Sequence, residues 1–527
     1  MRIHRLHIKA PGFKNLIDFK IDFNEASPMT VLVGRNGTGK SNILEALTII
    51  FRDLDLEAST PPFGYELDYT CRGHRITVDA DLARSTKKVQ VSVDGMPLTG
   101  KTFTEDKRVY LPNYVFGYYS GPSNRMQEHF LKHQDRFYTD LINNTDEKDL
   151  PLRPLFFAQH IHSQFVLLAF FLEQDQEALQ FLKEQLGITG LDSVLFVMKQ
   201  PPWTSRAGDE RFWKARGVVA RLLDRLYAHS LAPLRHKWRV PLGFRKTTDL
   251  EHLYLYLPSA DTLQKLKAGY ATQQDFFKAL ESTYISELIR EVRTRVTARS
   301  AEAPLTFREL SEGEQQLLMV LGLLRFTRED ESLFLLDEPD THLNPAWSVQ
   351  YLEFLKTIGG LGENGHVIMA THDPLVICGL TREQVRIMLR DTLKAPVRSV
   401  MPDTDPRGMG INGLLRSEIY GLESALDLPT LNKIDERDDI RAKQKELQAQ
   451  GKDLSPKDRI ALIKLSDDLA SLGFARDYRD PIEQKFADAM ARRHRKHEVL
   501  PLTPTELKKR ENLADSMLDK IMGEKSE

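Results

Sequence analysis

The chain has 527 residues, of which 41% are hydrophobic and 28% charged, with a formal net charge of −2. That length exceeds one ordinary core, so two to four lobes are expected, and the near-neutral balance leaves nucleic acid only local basic patches to bind. Two cysteines, Cys71 and Cys378, exclude a disulfide framework, the longest apolar runs are too short for a bilayer, and the first residues lack a signal-peptide core, so a cytoplasmic protein is expected.

In chain order, alternation at Leu6, Ile8, Ile17, Phe19, Ile21 and Phe23 predicts a strand pair around a turn at residues 11 to 15. The apolar run "MTVLVG" predicts a short strand entering a glycine-rich loop. "SNILEALTIIF" then puts Ile43, Leu47 and Ile50 on one helical face. Residues 66 to 116 read as β-rich, and residues 122 to 300 as helical and mixed. No sustained heptads run through that stretch, and Pro151, Pro154, Pro201, Pro202 and Pro233 interrupt it, so a helical lobe is expected there and not a coiled coil.

A helix is predicted after "LSEGEQQ" (310 to 316). Strands return at "SLFLLDEP" and "GHVIMATHD", apolar runs ending in polar residues as parallel strands do at their C-terminal edge. Past residue 400 the chain becomes polar. "SPKD" and "TPTE" each offer an N-cap with proline at the first helical position, and Leu462, Leu465, Leu469 and Leu472 form a helical stripe. That stripe can pack internally or dock a partner.

Gly34-Arg35-Asn36-Gly37-Thr38-Gly39-Lys40-Ser41-Asn42 fits a phosphate-cradling loop with a strand before it and a helix after it. Glycines let successive N–H groups turn inward, and the helix start adds partial positive charge. Lys40 is expected to reach the β- and γ-phosphates of ATP, and Ser41 to ligate Mg²⁺. Asp337 ends a buried strand and is expected to hold the metal, while Glu338 polarises the attacking water. His372, at the end of the next strand, is placed to sense a γ-phosphate. Ser311 and Gly313, at a helix start with Glu314, form a second anion-directed end.

Taken together, "GRNGTGKS", "LSEGEQQ", "LFLLDEPD" and "THD" resemble the ABC-type ATPase set, in that superfamily's order. The resemblance implies that Ser311, Gly313 and Glu314 meet ATP held by a second subunit, that Asp340 (with His342 nearby) lies in the D-loop that crosses to it, and that the unit is a homodimer or higher oligomer with two composite sites. "DTHLNP" resembles the SMC and RecF-like branch. Gln159 is a candidate for the glutamine that senses Mg²⁺ and water in related heads, and Lys14 and Asn15 for the turn that nears the nucleotide.

"YYSGPSNRM", "SVLFVMKQPPW" and "DPRGMGINGLLRSEIYGLESA" resemble the Septu anti-phage defence ATPase family, PtuA, including its retron-associated form. The resemblance implies an ATPase that controls a separate HNH nuclease, PtuB-like. In a retron system it also implies contact with the reverse transcriptase and its RNA–DNA product. Asp403 and Asp405 in "MPDTDP" read as a turn, so no nuclease centre of its own is expected. "ARRHRKHE" (491 to 498) and "SNRMQEHFLKHQDR" (123 to 136) could contact nucleic acid, or be solvated faces. A RecF-like or SMC-like repair ATPase, and a nucleotide-locked scaffold restraining a toxic nuclease, stand as alternatives.

The expected fold is α/β, an ABC-type P-loop head assembled from two lobes. Residues 1–120 form the lobe with the P-loop and 121–300 a mostly helical insertion. Residues 301–400 form the lobe with the signature, Walker B and H-loop, and 401–527 a helical extension that could dock the nuclease.

Overall fold

Apolar runs that precede the turn residues become strands buried on both faces, and these organise the head. The computed structural model describes residues 1–23, 27–143, 153–203, 208–241, 247–299, 301–326, 331–360, 364–390, 392, 395–422, 424 and 426–472. Contacts divide the chain into two units, Met1–Glu423 and Ser424–Glu527.

The first lobe opens with β1 (Arg2–Ile8), β2 (Phe19–Asp22), β3 (Met29–Gly34) and α1 (Lys40–Asp55). It continues through β4 (Tyr65–Cys71), β5 (His74–Ala80), β6 (Val89–Val93), β7 (Met96–Leu98), α2 (Gly100–Glu105), α3 (Lys107–Tyr110) and β8 (Tyr114–Tyr119). The insertion holds α4 (Leu131–Asn143), β9 (Leu155–Phe157), α5 (His160–Glu173), α6 (Gln176–Gln185) and β10 (Ile188–Lys199). After these come α7 (Gly217–His229), β11 (Leu234–Pro241), β12 (Thr247–Leu257), α8 (Ala260–Gln264), α9 (Gln273–Ile285), β13 (Ile289–Ala298) and β14 (Leu305–Thr306). The returning lobe has α10 (Glu312–Phe326), β15 (Ser332–Asp337), α11 (Pro345–Thr357), β16 (Gly365–Ala370), α12 (Pro374–Ile377), β17 (Val385–Leu389), β18 (Arg398–Val400) and α13 (Gly410–Arg416).

A seven-stranded sheet in the order β18-β17-β3-β16-β15-β8-β9 is parallel except at β18. Its central strands are apolar on both sides because both faces are covered. Leu32, Leu333, Leu335, Ile368 and Ala370 face α1 and the antiparallel sheet β2-β1-β4-β5-β6-β7. Val31, Val33, Phe334, Leu336, Val367 and Met369 face the core shared by α5, α10 and the insertion. The two sheets are stitched where Ile3 N–H donates to His366 Nδ1 at 3.1 Å and Arg2 Nη1 donates to the Gly365 carbonyl at 2.9 Å.

The insertion carries more than helices. A five-stranded antiparallel sheet, β11-β12-β10-β13-β14, forms its frame, with the helices on one face. The periodicity of residues 188 to 298 does not reveal it, because β10 is largely buried and β11 is exposed from Leu234 to Arg239.

In the second unit, α14 (Leu428–Ala449) and α15 (Pro456–Ser471) pair through Lys433–Asp468 at 2.9 Å and Lys443–Asp458 at 2.7 Å. Asp427 and Ser455 cap their starts, each with proline in the first turn. Of the leucine stripe, Leu469 is buried, Leu462 and Leu465 are half-buried and Leu472 is exposed. "TPTE" and "ARRHRKHE" lie outside the described residues. Among the described residues no helix is long and apolar enough to cross a membrane.

Candidate functional site: a phosphate loop facing two carboxylates

The sheet order places the ends of β3, β16 and β15 side by side. From β3 the chain turns through Gly34–Gly39 into α1, with the exposed crest formed by Arg35, Asn36 and Gly37. Thr38 Oγ1 braces the crest by donating to the Arg35 carbonyl at 2.8 Å. Gly39 takes φ 95° at the start of α1, and a Cβ there would lie 2.8 Å from Asn15 Oδ1, so only glycine fits. Asn15 occupies that space as a clamp: its Nδ2 donates to the Gly37 carbonyl at 3.0 Å, and Asn42 Nδ2 donates to its Oδ1 at 2.7 Å. The turn carrying Lys14 and Asn15 thus supports the loop directly. Lys14 does so through α1, where its ammonium pairs with Glu45.

Lys40 is buried, and its Nζ donates to the Gly34 carbonyl at 2.7 Å. Burial lowers its pKa, and the charges of Glu338 and Asp337 offset part of that effect. Asp337, at the end of β15, is 2% exposed and hydrogen-bonded to Ser41. Burial, reinforced by Glu338, raises its pKa to about 6 despite that bond and the positive charges of Arg125 and Lys40. A buried carboxylate beside a hydroxyl at a glycine-rich strand-to-helix loop is a donor set that Mg²⁺ can use together with phosphate oxygens. Among the described residues no cluster of three or more His, Cys, Asp or Glu could hold a metal alone. A metal bound here would take its remaining ligands from phosphate and water.

Glu338 follows with φ 53°, a left-handed conformation that is strained for a side-chain-bearing residue. Its N–H is held by the Ala370 carbonyl at 2.8 Å, and its carboxylate lies 3.3 Å from His372 Nδ1. The strand ends therefore bring together Lys40, Ser41, Asp337, Glu338 and His372.

The remaining predicted residues sit around this group. Asp340 is buried and accepts from Thr371 Oγ1, so its carboxylate is turned into its own chain, and burial raises its pKa to about 6. Ser311 is exposed immediately before α10. Its N–H and Oγ donate to Glu314 Oε2 at 2.6 and 2.9 Å, and Glu314 N–H donates back to its Oγ at 3.3 Å, a complete capping box. Gly313 lets the backbone of residues 342 and 343 approach, since a Cβ there would meet the His342 carbonyl at 2.3 Å. Gln159 follows β9 at the far edge of the sheet, two strands beyond β15. Its Oε1 accepts from Tyr284 OH at 2.8 Å and its N–H donates to His162 Nδ1 at 2.7 Å, so its side chain serves the insertion.

Three residues complete the site without a sequence prediction. Arg125 lies 3.0 Å from Glu45 Oε1 and 3.6 Å from Asp337 Oδ2, over the ring of Tyr119. Glu45 is fully buried; burial raises its pKa, but bonds from His129 and Lys14 and the charge of Arg125 outweigh it, and the net shift is downward. A glutamate among Ile43, Leu44, Ala46 and Leu47 was the available signal. Tyr420 OH donates to the His372 carbonyl at 2.8 Å, which gave no local signal.

Two family models match: an AAA ATPase domain over residues 1–173, and an AAA domain described as putative AbiEii toxin, Type IV TA system, over residues 219–377. The Septu protein PtuA of Bacillus mycoides (strain KBAB4) is 28% identical over 171 residues, 30% of this chain and 23% of that protein. Protein ea59 of Escherichia phage lambda is 30% identical over 116 residues, 22% of this chain and 21% of that one. The chain thus spans less than a quarter of each relative's length. Among solved structures, an SmcHead bound to the C-winged helix domain of ScpA superposes with TM-score 0.33 at 12% identity, covering 76% of this chain and 98% of that one. An SMC head domain from Thermotoga maritima gives 0.31 at 16% identity, covering 77% and 100%. With a glycine-rich loop, paired carboxylates and a histidine at adjacent strand ends, and with AAA ATPase domain models matching residues 1–173 and 219–377, the chain is similar to P-loop ATPase domains and, over 171 residues, to Septu PtuA.

Proposed function

We propose that this chain binds and hydrolyses ATP as the regulatory subunit of a Septu-type anti-phage defence complex, controlling a separate HNH nuclease through paired heads. The observation that carries the ATPase reading is the meeting of Lys40, Ser41–Asp337 and Glu338–His372 at three neighbouring strand ends. The similarity to PtuA supports the defence setting. In a retron-associated form, the partners would extend to the reverse transcriptase and its RNA–DNA product.

Bound ATP with Mg²⁺ would supply the phosphoanhydride and a charge-neutralising cation. Lys40 exchanges a neutral carbonyl partner for phosphate, gaining a charge-assisted bond. Asp337 and Ser41 are already adjacent and would hold the metal without rearrangement. Glu338 accepts a proton from water, and its strained backbone and His372 fix the direction of its carboxylate. Ser311 stands exposed at the start of α10, where a second copy's phosphate would have to displace Glu314 from the capping box.

The test is phosphate release by purified protein, alone and with a co-expressed HNH nuclease. Hydrolysis abolished by Glu338→Gln, together with co-purification of the nuclease, supports the proposal. Hydrolysis without any nuclease association favours a repair ATPase. Binding without hydrolysis favours a nucleotide-locked scaffold.

A further inference from the structure

One face of the five-stranded sheet of the insertion is only partly covered: Val197 and His252 on it are buried, while Trp238, Tyr256, Arg293 and Arg295 are exposed. Leu253, Leu255 and Leu257 of β12, Val194, Phe196 and Met198 of β10, and Val292 and Val296 of β13 point into the core. Alternation sends Tyr254 and Tyr256 of β12, Leu195 and Val197 of β10, and Arg293 and Arg295 of β13 to the other face. Register puts Tyr256 (β12), Leu195 (β10) and Arg293 (β13) in one row across the sheet, and Tyr254, Val197 and Glu291 in the next. β11 extends the same face with Leu234 opposite Tyr254 and Trp238 opposite Leu250. Trp238 is 51% and Tyr256 37% exposed. A soluble protein rarely presents such aromatics together unless something stacks on them.

The charges on this face select the occupant. Glu291 is shared by Arg293 at 3.0 Å and Arg308 at 2.6 Å, so one carboxylate stands between two guanidiniums. Arg295 reaches Asp192 at 3.9 Å and donates to the Pro304 carbonyl at 3.4 Å, with about half of its side chain still exposed. The balance is positive, with aromatic rings between the cations. An apolar protein partner would have to bury those guanidiniums, whereas a phosphodiester strand neutralises them. Tyr254 and Tyr256 are two residues apart on one strand, about 7 Å. That is about twice the ~3.4 Å base rise of a duplex, so both rings can stack only on bases already separated.

We infer that this face binds single-stranded nucleic acid, with Trp238, Tyr254 and Tyr256 stacking on bases and Arg293 and Arg295 meeting phosphates. The inference does not depend on ATP hydrolysis.

The full-length protein is titrated by fluorescence anisotropy with fluorescein-labelled DNA and RNA single strands of mixed sequence and about 20 nucleotides, and with a duplex of equal length, over a range of salt concentrations. Single strands are expected to bind more tightly than the duplex, and the DNA and RNA arms reveal which sugar is preferred. Trp238→Ala with Tyr256→Ala should weaken single-strand binding about tenfold or more. Tyr256→Phe, which keeps the ring, should not. Arg293→Ala with Arg295→Ala should lower the salt slope by about one to two. ATP binding, measured in parallel, should stay at the wild-type level and shows that the variants are folded. The idea is overturned if the duplex binds as well as single strands, or if single-strand affinity is unchanged in both double variants. A changed oligomeric mass with unchanged oligonucleotide affinity also overturns it, assigning the face to a second copy of this chain.

Discussion

Two helix starts in this head carry the same type of group toward solvent and are built in opposite ways. α1 begins at Gly39 with no side-chain cap, so its first N–H groups are left for a ligand, and the loop around them is braced from outside by Asn15 and Thr38. α10 begins at Ser311 with a complete cap from Glu314. The first end is organised for an anion before one arrives. The second satisfies itself within one chain, and an anion could engage it only by opening the cap. On the proposed function, one end is committed to phosphate by its own chain. The other is conditional, which suits a group that acts only when a second subunit is present.

The largest effect that tests this contrast comes from the committed side. Glu338→Gln should lower turnover by about 10²–10⁴-fold with ATP affinity retained, because the carboxylate acts on water and not on the nucleotide. A steady-state phosphate assay with a parallel binding titration checks it. Turnover within tenfold of wild type would remove Glu338 from its role. Lys40→Ala should weaken ATP binding by roughly 10- to 100-fold, the worth of a charged hydrogen bond. A fluorescent ATP analogue measures this, and unchanged affinity would mean that the loop does not bind phosphate.

The conditional side is sharpened by mixing. Ser311→Arg and Lys40→Ala should each be inactive alone. If Ser311 serves a partner's nucleotide, mixed dimers contain one composite site free of both lesions and should regain part of the hydrolysis. No recovery despite demonstrated subunit exchange would return Ser311 to its own chain, or require both sites to fire together. A smaller effect separates cap from catalysis. Ser311→Ala and Glu314→Ala should each cost about 0.5–2 kcal/mol of stability by denaturant unfolding, as lost caps do. Only Ser311→Ala should also reduce turnover; equal losses of turnover in both would reduce Ser311 to a helix cap. The smallest effect is expected outside the head. Truncation after residue 423 should leave ATP affinity unchanged, since contacts separate the two units there. It should abolish nuclease retention if α14 and α15 dock the nuclease.

The site was legible in the sequence wherever one strand and its following turn carry the chemistry. Lys40 and Ser41 open α1 at the end of the loop that follows β3, and Asp337 and Glu338 end or follow β15, so pattern and position coincide. Gln159 shows the limit. It follows an apolar run as the others do, but its strand pairs at the sheet edge and its amide bonds Tyr284 in α9. A local pattern does not say which strands become neighbours.

What the sequence determined alone was therefore each strand–turn–helix unit and its chemistry. Apolar periodicity, glycine conformation and carboxylate placement all act within about ten residues. Only the tertiary structure decided the rest. It put Arg125 against Glu45 and Asp337, and Tyr420 on the carbonyl of His372. It also registered Tyr256 and Arg293 across Leu195 on an open sheet face. These pairs are far apart in the chain, and nothing local selects them. They form because burial of the two central cores fixes the order and register of the strands that carry them.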